Sequence, residues 1–274
     1  MTSYGFGFAN SDQLERNRLV AELREVLDGL SSEDLKAWGM DCAGLFKVAL
    51  VRRGINLGKL GKRVALATID ETKRAAHATV EKRFGSHLAD RGTAGVKALG
   101  EFSRSGAEEL RQFTKLLKAQ PGEAAPILIG GILGFVAGSG GLDGDGGVPD
   151  LDLVGGIGNH RSIFTHSVIG GAALETAILG AASFTLLAYS QLPPDHHSLW
   201  DVLHTFGQRT ADAAVVGGAA GVAYHLGVDS TVDGFTPYKD LPVSLPMMDH
   251  KALMGLNAIA EWMGRKKSET VSDG

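Results

Sequence analysis

The chain has 274 residues, 44% hydrophobic and 21% charged, with a net charge of −4. That length and balance support a sizeable core and exclude wholesale disorder. The single cysteine, Cys42, excludes an internal disulfide and fits a reducing compartment, and the first residues run into charge without a signal-peptide pattern.

The charge is unevenly spread. Residues 1–120 carry a net of +5 and residues 121–274 a net of −9. The excess of base is concentrated between Lys47 and Lys118, at +9. Two readings of that stretch stay open: solvated helix faces, or contact with anionic lipid headgroups or a nucleic-acid backbone. Aromatic residues are few there, which argues against a stacking platform for single strands.

Asp12-x-x-Glu15 and Ser31-x-x-Asp34 have the spacing of capping boxes and predict helix starts. Leu14, Leu19, Leu23, Leu27 and Leu30 recur at helical spacing. A second helix is expected from about Ser32 to Gly54 and a third from Leu60 to Phe84. A fourth is expected from about Gly92 to Ala119, stopped by Pro121-Gly122.

Composition changes at Pro121. Segments 124–141, 167–190 and 213–228 are apolar and rich in small residues, and the second carries a single charge, Glu175. A membrane helix needs about 20 apolar residues. The second segment is long enough, and the other two are marginal. Gly130-Gly131-x-x-Gly134 and Gly217-Gly218-x-x-Gly221 permit close helix packing in lipid or in a soluble core, so both settings stay open. Strand signals are scarce. The expected fold is mainly α: a basic N-terminal helical region over 1–120, then a glycine-rich apolar helical domain over 121–264, membrane-embedded or packed on itself. A polar tail follows over 265–274.

Aspartate and histidine are costly to bury unless paired or bound to a cation, yet they cluster in this apolar half. Asp150 and Asp152 sit in a glycine-rich loop with Asp143 and Asp145. Two aspartates two apart in an extended loop can turn toward one ion, although the pattern does not fit an EF-hand. A solvated acidic turn is the plainer reading. His160-Arg161 and His166 mark the entry to the long apolar helix, with Ser162 as its expected cap. His166 is then expected in the first helical turn, where backbone N–H groups favour an anion such as phosphate. Arg161 would add a bidentate phosphate contact. His225 and Asp229 are four apart and project from one helix face. That suits two ligands on one cation, or a histidine oriented by a carboxylate, and equally a core histidine beside a helix cap. Glu175, nine residues past His166, is expected to face elsewhere. His196, His197, His204 and His250 read as surface or capping residues. No Gly-x-Ser-x-Gly elbow, Walker A motif or His-Glu-x-x-His helix occurs.

The order of these motifs resembles the YdjM-type family. The motifs are Pro-Asp-Leu-Asp at 149–152, His-Arg-Ser-Ile-Phe-Thr-His-Ser at 160–167, and His225-x-x-x-Asp229 followed by Thr236-Pro237. That family comprises inner-membrane-associated bacterial proteins described as metal-dependent hydrolases. The resemblance covers about residues 124–250. By position it implicates Asp150, Asp152, His160, His166, His225 and Asp229, and it implies a bacterial-type inner-membrane location, with the basic half cytoplasmic.

The expectation is a metal-dependent hydrolase acting on a phosphoester, with a phospholipid-like or other amphipathic substrate. Asp152, His160, His166, His225 and Asp229 are expected to bind the metal, Asp150 to act as general base and Arg161 to stabilise the phosphate. Mixed His/Asp ligands suit zinc or manganese. Two alternatives remain: a non-enzymatic membrane or interaction protein with a structural metal or polar network, and a metal-dependent nuclease using the basic half.

Overall fold

The structure, a computed structural model, describes residues 8–80, 111, 114–142, 146–155, 161–231, 238–241 and 244–264. The expectations for Phe84, most of the fourth helix, Asp143, Asp145, His160, Thr236-Pro237 and the 265–274 tail lie outside these residues. Among the described residues the main α-helices are, in chain order, α1 (Phe8–Gly29), α2 (Ser32–Val80), α3 (Pro121–Ser139), α4 (Val168–Tyr189), α5 (Ser198–Thr231) and α6 (Met247–Gly264). A 3₁₀ helix over Pro149–Gly155 lies between α3 and α4, and no strand occurs among the described residues. The fold is mainly α, as expected.

The start of α2 follows the capping spacing. Ser31 Oγ accepts from Asp34 N at 3.1 Å, and Asp34 Oδ2 accepts from Ser31 N at 3.0 Å and from Ser31 Oγ at 2.7 Å. These bonds hold the exposed Asp34 carboxyl below its usual range. The expected stop at Gly54 does not occur, and α2 runs on to Val80. A helical glycine costs only about 1 kcal/mol against alanine. Gly54 does not take the positive φ of a C-terminal cap, and no proline follows it. The chain divides into two compact units: Gly54–Ala125, and Met1–Arg53 with Pro126–Gly274. The first 53 residues therefore fold with the apolar half rather than with the basic stretch.

Glycine decides how α3 meets α5. A Cβ on Gly130, Gly134 or Gly138 would lie 2.1, 2.0 and 2.3 Å from the carbonyl oxygens of Thr210, Ala214 and Gly218. From the other side, a Cβ on Gly217 or Gly221 would lie 2.1 and 2.3 Å from the carbonyl oxygens of Gly131 and Phe135. The pairs advance by four residues on both helices, so α3 and α5 run parallel with their backbones in contact. Side chains at these positions would push the helices apart. Gly131 differs, because its own Cβ would meet nothing within 4 Å. Gly134→Ala is therefore expected to lower stability by at least the ~1–3 kcal/mol typical of overpacking. Gly131→Ala should be neutral or stabilising by up to about 1 kcal/mol. Thermal melting of the two variants checks the contrast, and equal melting points would refute the backbone contact.

α4 runs antiparallel to α5, with Leu174 packed near Gly218 and the ring of His166 5.5 Å from that of His225. α6 runs alongside α4, so that Asn257 Oδ1 accepts from Val168 N at 3.2 Å and Glu261 lies against Gly171. Leu174, Val222, Leu226, Tyr238, Met254 and Ala258 form the apolar core of this region. A second cluster of Val26, Leu30, Ala188 and Trp200 seats α1 at the turn between α4 and α5. There the buried Glu22 accepts from Trp200 Nε1 and from His197 N, both at 2.9 Å.

A four-charge network ties α2, α4 and α6 together. The Arg53 guanidinium, 1% exposed, pairs with both oxygens of Glu261 at 2.6 and 2.8 Å and with Glu175 at 2.6 Å. Arg52 adds bonds of 2.7 and 2.6 Å to Glu175. Glu175 thus faces away from His166, as expected, and its charge is neutralised inside the apolar region.

Three of the helices, α3, α4 and α5, are long and apolar enough to cross a membrane. The outward face of α3 bears Leu128, Ile129, Ile132, Leu133 and Val136, all 41–61% exposed.

Candidate metal centre

The site forms where α3 ends, α4 begins and α5 approaches its C-terminus. The chain turns back at Gly146 and Gly147, whose φ values of +97° and +75° belong to the left-handed region. A Cβ on Gly147 would come within 2.5 Å of Gly140 N, so the loop folds directly onto the end of α3. Val148 N donates to Ala137 O at 2.9 Å and holds it there. The 3₁₀ helix carrying Asp150 and Asp152 follows at once.

Four donor atoms converge. His166 Nε2 lies 3.7 Å from Asp150 Oδ1 and 3.6 Å from Asp229 Oδ2. His225 Nε2 stands at 3.7 and 3.6 Å from the same two oxygens. His166 and His225 are buried, and Asp150, His166 and His225 each bring one donor atom within 4.8 Å of the others. These separations exceed a hydrogen bond. They resemble the distance of about 3.4 Å between two ligands that sit ~2.1 Å from one ion at a tetrahedral angle. Asp229 Oδ2 is buried and accepts no hydrogen bond from the described residues, although it faces both histidines. A buried carboxylate oxygen without a donor is costly, and a cation would satisfy it.

The surrounding contacts set the orientation of each ligand. Asp150 Oδ2 accepts from Gly146 N at 2.5 Å, which leaves Oδ1 directed at the histidines. Asp229 Oδ1 accepts from Arg161 Nη2 at 3.0 Å, which leaves Oδ2 directed inward. His225 Nδ1 faces the Ser139 carbonyl at 3.4 Å, and a carbonyl can only accept, so that contact places the proton on Nδ1. His166 Nδ1 lies 3.1 Å from Thr165 Oγ1, whose own proton goes to Asp152 Oδ2, and 3.3 Å from that carboxylate oxygen, with the same consequence. Both rings therefore present the Nε2 lone pair to a common centre, the tautomer a metal ligand needs.

The two aspartates stand in different places around His166. Asp150, expected as the general base, belongs to the donor cluster, whereas Asp152, expected as a ligand, stands behind His166. Asp152 Oδ2 also accepts from Ser162 N at 2.7 Å and Thr165 Oγ1 at 2.9 Å. The segment is a 3₁₀ helix rather than an extended loop. Residues two apart in a 3₁₀ helix point in directions about 120° apart, so one aspartate reaches each side of the imidazole. His166 is also displaced from its expected place. The cap of α4 is Ser167, whose hydroxyl accepts from Ile169 N at 3.2 Å, so His166 precedes the helix and is not in its first turn. Ser162 instead closes the preceding turn, where its carbonyl accepts from His166 N at 2.9 Å. Arg161 adopts φ +68°, unusual for a residue with a Cβ, and turns its guanidinium onto Asp229.

Several supporting residues carry no sequence signal. Tyr238 donates its hydroxyl to His166 O at 2.5 Å, and burial, then the charges of Asp229 and Asp240, push that hydroxyl up and keep it protonated. Asp240 accepts from Ser162 Oγ at 2.5 Å and from Ile163 N at 2.8 Å. Asn257 holds the first turn of α4. A lone tyrosine, aspartate or asparagine at these distances in sequence shows no spacing relation to His166. His250, expected as a surface or capping residue, is 5% exposed beside the Tyr238 ring. His196 and His197 meet Asp201 and Glu15 at 3.0 and 2.8 Å at the far end of α4, remote from the cluster in sequence and fold.

No family model, curated protein or solved structure matches this chain.

Proposed function

We propose that the chain is a metal-dependent hydrolase of phosphoesters that works at a membrane. The observation that carries this reading is the convergence of two correctly oriented histidines and two carboxylate oxygens in an apolar setting. His166 and His225 would hold a divalent ion through Nε2, Asp150 through Oδ1 and Asp229 through Oδ2. The mixed donor set suits zinc or manganese. A bound ion of this kind supplies Lewis-acid activation of water near neutral pH. Asp152 helps to hold His166 in the right tautomer and in place. Arg161, held by its bond to Asp229, would bring positive charge beside a phosphoryl group at the cluster. The motif order shared with the YdjM-type family supports the same reading, and the three long apolar helices support a membrane location.

The test is elemental analysis and phosphodiester hydrolysis by the purified chain, beside a His166→Ala, Asp229→Ala double variant. Near-stoichiometric metal and hydrolysis, both lost in the variant, are expected. Metal without hydrolysis of any phosphoester would leave a structural metal site, and no metal after soaking with zinc or manganese would sink the proposal.

A further inference from the structure

The loops that build the cluster turn their polar atoms inward and large apolar side chains outward. Val154 is 88% exposed, Phe164 64% and Leu151 57%. Leu151 lies between Asp150 and Asp152. Phe164 precedes Thr165, whose hydroxyl donates to Asp152. The apolar side chains therefore belong to the rim of the site. Apolar side chains concentrated in this way on loops mark an interaction surface.

The directions of the helices indicate what covers that surface. α3 ends at Ser139, α4 starts just after His166, and α5 reaches His225 close to its end, so all three apolar helices meet the cluster at one end. The 22 residues of α4 rise about 33 Å, close to the ~30 Å hydrocarbon thickness of a bilayer. A helix of that length set across a bilayer puts His166 at the level of the headgroups, and lipid phosphates lie at that level. The exposed leucine, isoleucine and valine face of α3 continues the apolar surface down the side of the bundle. Arg161 places a cation at the same end.

We propose that segments 146–155 and 161–167 rest in the headgroup layer of a bilayer, with Leu151, Val154 and Phe164 directed toward the acyl chains. The cluster then takes the phosphate of a membrane phospholipid from the bilayer itself rather than a soluble phosphoester from water. The substrate part of this inference rests on the hydrolase reading; the depth of the loops does not.

Spin labels at Val154→Cys and Phe164→Cys, each in a Cys42→Ala chain, test the depth after reconstitution into vesicles of phosphatidylcholine and an anionic phospholipid. Asp28→Cys on α1 is the exposed reference. The expected result is a ratio of oxygen to water-soluble nickel-chelate collisions at 154 and 164 several-fold above that at 28. A ratio equal to that at 28 would overturn the proposal. Dipolar broadening that grows with the protein-to-lipid ratio, without oxygen preference, would also overturn it and show that a second copy covers the loops. Metal content measured on the same samples separates the two readings. Labels in lipid without metal would sink the hydrolase and leave the lipid-facing rim standing, whereas metal with labels in water would sink the rim alone.

Discussion

His166→Ala is expected to remove stoichiometric metal and to reduce hydrolysis by well over 100-fold. His166 is the hinge of the cluster, with Nε2 facing Asp150 and Asp229 and Nδ1 facing Asp152. Its loss takes away one donor and the contact that gives Asp152 its purpose. Asp152→Asn separates the two roles. It keeps the volume and the cluster's donors, but weakens the group that fixes the tautomer, so a loss of about 10–100-fold in metal affinity is expected. Competition with a chelating dye measures both. If Asp152→Asn were as damaging as His166→Ala, Asp152 would be a ligand and the assignment to Asp150 would fail. Metal loading should also fall as pH drops, because two histidines must lose protons to bind and would be protonated in acid. A loading that stayed flat down to pH 4 would argue against histidine ligation.

Breaking the network around Arg53 should produce the largest loss of stability. Arg53 satisfies Glu261 and part of Glu175 where the side chains of Arg53, Glu175 and Glu261 are 1%, 5% and 0% exposed. Arg53→Met removes the cation and leaves two buried carboxylates, one of which still has Arg52. Removal of one partner from a buried pair costs about 3–5 kcal/mol. The expected result is a melting transition lowered by roughly 6–20 °C for a chain of this size. Arg53→Met combined with Glu261→Leu should recover much of the loss, because it replaces the bidentate pair by apolar groups. A single variant that melts like the unaltered chain would show that the carboxylates protonate without penalty. In that case the network would not be what holds α2 against α4 and α6.

Much of the fold was legible in the pattern of residues. Scarce strand signals and three apolar segments indicated helices, and the Ser31–Asp34 spacing located the start of α2. The Gly130 and Gly217 motifs announced close packing, although the pattern did not say that the two stripes pack on each other. The continuity of α2 through Gly54 was not legible, because a glycine caps a helix when it takes the left-handed region, and Gly54 does not. The unit boundary was also hidden. Basic charge made residues 1–120 look like one region, whereas Arg52 and Arg53 are bound by carboxylates from α4 and α6 that lie more than 120 residues away.

The sequence by itself determined that the chain is helical and where its ionisable groups enter apolar surroundings. It also determined that His225 and Asp229 share a face, since a spacing of four and the 3.6-residue helical repeat require it. Only the tertiary structure decided which aspartate joins them. Whether residues two apart point together or apart depends on whether their backbone is extended or 3₁₀, and folding of the Gly146-Gly147 turn onto α3 settles that. The orientation of both histidines was likewise decided by partners from other elements, the carbonyl of Ser139 and the carboxylate of Asp152. Local periodicity carries no information about such pairings, because they arise only when α3, α4 and α5 meet at one end.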